Sequence, residues 1–133
     1  MPRIRKLLGP SRFDSDGLRL RWMKPGVIRV EFRRSGRQLT VRYKEIGTEY
    51  EFVSHVARPQ VVRDVGLFVA GRELLERNRA TALAGFRLTF QDGIDAWVRQ
   101  RASTLHRDDL MFAISSLVCE TDRFREVLTG REG

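Results

Sequence analysis

The chain has very little of what most sites of covalent or metal chemistry require. It carries one cysteine, Cys119, so neither an intrachain disulfide nor a multi-cysteine metal site can form. Its two histidines, His55 and His106, each lack a second histidine at ligand spacing. No glycine-rich loop follows a strand in the manner that cradles phosphate. No apolar run approaches the roughly 20 residues of a membrane-spanning helix. The basic stretch 1–8 has neither an apolar core nor a small-residue cleavage site, so it does not read as a secretory signal. Lysine is scarce, with only Lys6, Lys24 and Lys44. These absences point away from an enzyme or a cofactor protein, with no metal or cofactor expected. They point toward a cytoplasmic protein in a reducing cytosol of bacterial type.

What is present is an ordinary core and an uneven charge. The 133 residues are 41% apolar and 32% charged, which suits one domain that needs no covalent staple. The net charge is +8, and nearly all of the excess lies early. Residues 1–46 hold 13 Lys and Arg against 4 Asp and Glu, whereas residues 47–133 hold 12 against 13. Such asymmetry attracts an anionic partner: nucleic acid, an acidic protein or anionic lipid. An arginine-rich proteome would give the same composition without function.

Patterning predicts an α+β fold of order β-β-β-β-α-β-β-α. Residues 1–17 read as a basic arm, because Gly9, Pro10 and the 14–17 turn break any helix begun at Ile4; residues 18–133 form the domain. Apolar residues alternate at Leu18, Leu20 and Trp22, at Ile28, Val30 and Phe32, at Leu39, Val41 and Tyr43, and at Tyr50 and Phe52. This period of two predicts an antiparallel sheet covered by helices on one side only. Pro59 then opens a predicted helix over 60–79. Its apolar positions spread over about 240°, against the roughly 100° stripe of a one-sided helix. That breadth predicts burial on two sides and therefore a homodimer or another protein partner, with Val65, Leu67, Phe68 and Leu74 at the interface. Two strands follow around an Asp92-Gly93 hairpin turn. A last helix over 106–128 is capped by Ser103 or Thr104, with Leu110, Ile114, Leu117, Val118, Thr121 and Leu128 on its inner face.

If the apolar side chains face the helices, the other sheet face carries Arg19, Arg21, Arg29, Arg33, Arg42, Lys44, Arg87, Trp97, Arg99 and Arg101. Arginine offers a planar fork to phosphate or carboxylate, and Trp97 offers a stacking surface. The competing readings are a solvated face with Trp97 shielded by arginine stems, and a one-residue register slip that buries Trp97. Glu49 and Glu51 are expected to point to solvent among these arginines. His106 with Asp108 and Asp109 reads as a helix start whose acids suit the dipole, with a metal corner as the alternative. Cys119 falls on the outer face of the last helix, near Phe112 and Ser116.

One run of residues has the look of a known pattern. Asn78 near a helix end is followed by Gly85-Phe86-Arg87-Leu88 and by Asp92-Gly93. Arg99 comes next in a strand, then Thr104-Leu105, then Thr121-Asp122-Arg123-Phe124. This resembles the YbjN-like family and the fold of type III secretion chaperones. The resemblance implies an α+β sheet domain, usually dimeric and without catalysis, that binds other proteins. Members commonly begin with a full helix, for which the arm here has no room. The expected function is therefore a non-catalytic, chaperone-like or adaptor-like interaction module. The alternative is a sequence-nonspecific nucleic-acid binder that uses the arginine-rich sheet face.

Overall fold

The computed structural model describes residues 3–14, 16–80, 84–89, 91 and 93–129; the side chains of residues 3, 67 and 80 are outside that description. Six strands form one antiparallel sheet: β1 (Leu18–Lys24), β2 (Val27–Phe32), β3 (Gln38–Ile46), β4 (Glu49–Ala57), β5 (Gly85–Leu88) and β6 (Ile94–Arg101). Their spatial order is β1-β2-β3-β4-β6-β5. The first four strands are a meander joined by short turns. The second hairpin then docks β6, not β5, against β4, so the last strand in sequence lies inside the sheet. Among the described residues there are four α-helices: α1 (Arg3–Leu8), α2 (Pro59–Val65), α3 (Leu67–Ala80) and α4 (Arg107–Thr129).

The alternation that predicted a one-sided sheet is realised as burial. Leu18, Leu20, Ile28, Val30, Leu39, Val41, Tyr50, Phe52, Phe86, Ala96 and Val98 are all buried toward the helices. Against them lies α4, whose Leu110, Ala113, Ile114, Leu117, Val118, Thr121, Phe124 and Leu128 are buried. Ala113 and Phe124 extend the inner face expected from sequence. The Phe124 ring meets Phe86 edge to face, with centroids 4.9 Å apart. Burying side chains of this size contributes roughly 1.5–3 kcal/mol each, so the α4–sheet contact contributes strongly to stability.

Three local expectations are corrected. The single helix expected over 60–79 is two helices, because Gly66 sits at φ 101°, where only glycine is comfortable. Its N–H donates to Val62 O to end α2, and its carbonyl accepts from Ala70 N to begin α3. The broad apolar arc therefore spans a bend between two helices. In the structure Val62 and Ala70 are buried, and Val61, Val65 and Leu74 pack partly against the core. Second, the opening residues do form a short helix. Ile4 and Leu8 of α1 are buried in the core, and the Arg107 guanidinium donates to the free carbonyls of Leu7 and Leu8. A side chain 99 residues away thus caps a helix that local signals could not predict.

Third, Ser103 and Thr104 do not cap α4. They belong to a 3-10 turn at Ala102–Thr104, and the helix start is closed by Asp109, whose carboxylate accepts the His106 N–H at 3.2 Å. Thr89 also ties the two strands of the β5–β6 hairpin together. Thr89 N donates to Gly93 O at 2.8 Å, and Gly93 N donates to Thr89 Oγ1 at 2.9 Å. Asp92, the other half of the expected turn, lies outside the described residues.

Candidate functional site: the open sheet face and the exposed side of α3

Among the described residues no helix covers the face of the sheet opposite α4, and strand alternation delivers the charges to it. Arg21 lies directly across from Arg29, and Arg29 across from Thr40. Arg42 lies between Val27 and Val53, Val53 faces Trp97, and Trp97 faces Gly85. Lys44 faces Glu51, which faces Arg99, and Glu49 faces Arg101. Arg21, Arg29, Arg42, Lys44, Arg99 and Arg101 are exposed and Arg19 is half-buried. Of the residues expected here, only Arg33 is displaced. β2 ends at Phe32, so Arg33 sits in the following turn, with its guanidinium 4.9 Å from the Phe13 ring centroid beside that of Arg19.

Glu51 departs most from expectation. It points to the open face as alternation requires, yet it is only 2% exposed. Arg87 donates to its Oε1 at 3.1 Å and Arg99 donates to its Oε2 at 3.0 Å. Desolvation alone would raise the Glu51 pKa. The hydrogen bonds and charges of Arg87 and Arg99 outweigh it, so the carboxyl sits below its ordinary range. Nothing in the local sequence around Glu51 announces this, because its partners are 36 and 48 residues away.

The same two arginines hold Trp97. Each guanidinium carbon is 5.7 Å from the indole centroid. On the adjacent strand the ring lies over Gly85, where an added Cβ would come within 3.0 Å of the indole. Trp97 is thus on the open face as expected from register, but it is half-buried and clamped, with arginine stems shielding it. Beside it, Val53 floors two adjoining shallow depressions. One is lined by Thr40, Arg42, Val53, His55 and Asp95, the other by Arg42, Lys44, Glu51, Arg87 and neighbours.

The acids on this face are already matched. Glu31 pairs with Arg19, Asp95 with His55 at 3.1 Å, and Glu51 and Glu49 with Arg99. Among the described residues, no carboxylate pairs with Arg21, Arg29, Arg42 or Lys44.

A second feature lies on the helix side. In α3, Phe68 is 82% exposed and Leu75 is 64% exposed. They are seven residues apart and so share a helix face. Val69 of α3 and Leu88 of the neighbouring β5 are exposed as well. Of the expected interface residues, Phe68 is free at the surface, Val65 and Leu74 pack partly on the chain's own core, and the Leu67 side chain is not among the described ones.

The remaining candidates are quiet. Cys119 is exposed on the outer side of α4, and partial burial of its sulfur pushes the thiol pKa up. Among the described residues, no three His, Cys, Asp or Glu side chains are placed to hold a metal ion, His106 with Asp108 and Asp109 included. No helix of the described residues is long and apolar enough to cross a membrane.

No protein-family model matches the chain, and a sequence comparison with curated proteins finds no match. Solved structures do resemble it in shape. YbjN of E. coli aligns with a TM-score of 0.58 at 14% identity, covering 97% of this chain and 91% of that one. A chain of the heterodimeric ExoU–SpcU complex, from the type III secretion system of Pseudomonas aeruginosa, aligns at 0.55 and 18%, covering 82% and 88%. A chain of the HopA1–SchA chaperone–effector complex aligns at 0.51 and 14%, covering 94% and 87%. The chain therefore has a YbjN-like fold of the type III secretion chaperone kind.

Proposed function

We propose that the chain is a non-catalytic protein-interaction module, chaperone-like or adaptor-like in role, acting as a homodimer in the cytoplasm. The observation that carries this reading is the exposed apolar side of α3. Phe68 and Leu75 lie two turns apart on one solvent-facing side of a helix whose other side is already seated by Ala70 and Leu74. Exposing two large apolar side chains on one face is costly in a monomer and gainful at an interface. A second copy of the chain supplies an identical apolar face, the self-complementary arrangement of a two-fold dimer. The comparisons support the wider role, since two of the similar structures are complexes of one protein with another. The chemistry supports the non-catalytic part. The one buried carboxylate described, Glu51, is neutralised by two arginines and held ionised, so it is no general acid or base near neutral pH.

Two differently tagged copies expressed together test the reading, followed by capture on one tag after nuclease treatment. The wild-type copies should co-purify and retain a protein partner. Phe68→Asp with Leu75→Asp should separate the copies, because an unpaired carboxylate at a buried interface costs several kcal/mol, roughly. Wild-type copies that never co-purify, with every partner lost to nuclease, would sink the reading.

A further inference from the structure

The open face of the sheet presents cations that no carboxylate among the described residues neutralises. Arg21 and Arg29 are cross-strand neighbours of like charge, a pairing that is unfavourable without an intervening anion. Arg42 and Lys44 continue the track on β3, two residues apart and therefore on the same face. Glu31, Glu49, Glu51 and Asp95 share the face, but Glu31 pairs with Arg19, Glu51 and Glu49 with Arg99, and Asp95 with His55. A surface that satisfied only itself would have spread these acids among the arginines. Instead it leaves a surplus positive strip beside an apolar floor.

That floor distinguishes between anions. Val53 lies between Arg42 and Trp97 at the base of a depression of about 450 Å³, with Thr40, His55 and Asp95 around it. An acidic peptide segment would use the cations and leave the floor idle. A nucleotide uses both, because its phosphate meets an arginine fork while its base lies flat on apolar surface with hydrogen-bonding groups at its edge. A base can lie flat on that floor only when it is unpaired and unstacked from its neighbours, so the strand must be single.

We propose that the open sheet face binds single-stranded nucleic acid without sequence preference. Phosphates run along Arg21, Arg29, Arg42 and Lys44, and a base sits on Val53, the cross-strand neighbour of Trp97. Arg87 and Arg99, joined through Glu51, lie beside the Trp97 ring, which sits over Gly85 next to that floor. This surface lies on the opposite side of the sheet from α3, so it does not rest on the dimer reading.

The test titrates a fluorescent oligo-dT into the full chain from 50 to 200 mM salt. Each phosphate neutralised on a single strand contributes about −0.7 to the log–log salt slope, so four contacts give a slope near −3 and a loss of about 50-fold across that range. Arg21→Glu with Arg42→Glu should halve the slope or flatten it further. In a Trp22→Phe background the oligonucleotide should also change Trp97 emission, which a distant phosphate contact would not do. The proposal is overturned if oligo-dT does not bind at 50 mM salt, or if Trp97 emission is unmoved. It is also overturned if polyglutamate binds as tightly as oligo-dT, which would assign the strip to an acidic protein. Phe68→Asp with Leu75→Asp should leave the titration unchanged, which separates this proposal from the dimer.

Discussion

Replacing Glu51 with Gln removes the anion on which Arg87 and Arg99 converge. The carboxylate is 2% exposed, so water cannot take its place, whereas the arginines are 42% and 41% exposed and can turn to solvent. A hydrogen bond to a charged group contributes roughly 1.5–3 kcal/mol when buried. Screening at the half-exposed arginines discounts this, which leaves about 2 kcal/mol for the pair. For a domain of this size that is roughly 6–10 °C in melting temperature. The effect must also depend on pH. Because the folded-state pKa of Glu51 is depressed, its contribution is fully present above the ordinary glutamate pKa of about 4.3 and is lost as pH falls through the lower folded value. Thermal melts from pH 7 down to pH 3 should show the wild type approaching Glu51→Gln as acid removes the difference. Trp97 emission, read in the Trp22→Phe background, should shift in the variant as the arginines leave the indole. A variant that melts with the wild type at pH 7, or a difference that persists unchanged at pH 3, would refute the assignment of Glu51 as the ionised centre of the clamp.

Other expectations follow from single contacts. Asn78 accepts the Phe86 N–H through Oδ1 and donates to the Phe86 carbonyl at 2.9 Å, closing the outer edge of β5; Asn78→Ala should cost about 2 kcal/mol and expose the Phe86 amide to hydrogen exchange. Gly85→Val should disturb Trp97 emission, since even a Cβ at that position meets the indole at 3.0 Å; unchanged emission would mean that the ring does not lie over Gly85. Cys119 should react with a thiol reagent in the native protein, but more slowly at pH 7 than a free thiol, because its pKa is raised; labelling only in denaturant would place it in the core.

The parts of this fold that were legible in the sequence are those where each residue reports on itself. Period-two alternation gave β1 to β4 and the side to which each arginine points, because a strand sends neighbours to opposite faces wherever it lies. The inner line of α4 was legible for the same reason, from Leu110 to Leu128. What could not be read depends on distant partners. The helix α1 exists because Ile4 and Leu8 find the core and Arg107 caps its end. Glu51 looked like one more solvated acid until Arg87 and Arg99 converged on it. The apolar arc over 60–79 misled in detail because Gly66 bends the chain between two helices. Leu74 therefore turned inward while Phe68 and Leu75 stayed out. The Asn78 signal was visible, but only the structure gives its meaning as the group that satisfies a strand edge.

The central claim is that the exposed side of α3 is an interface between copies of this chain. The most direct test is the mass of the purified protein in solution at micromolar concentration, measured by light scattering. The account predicts about twice the 15.4 kDa of one chain, falling to one chain mass in Phe68→Asp with Leu75→Asp while the circular dichroism spectrum is retained. A wild-type protein that stays at one chain mass at those concentrations would contradict it.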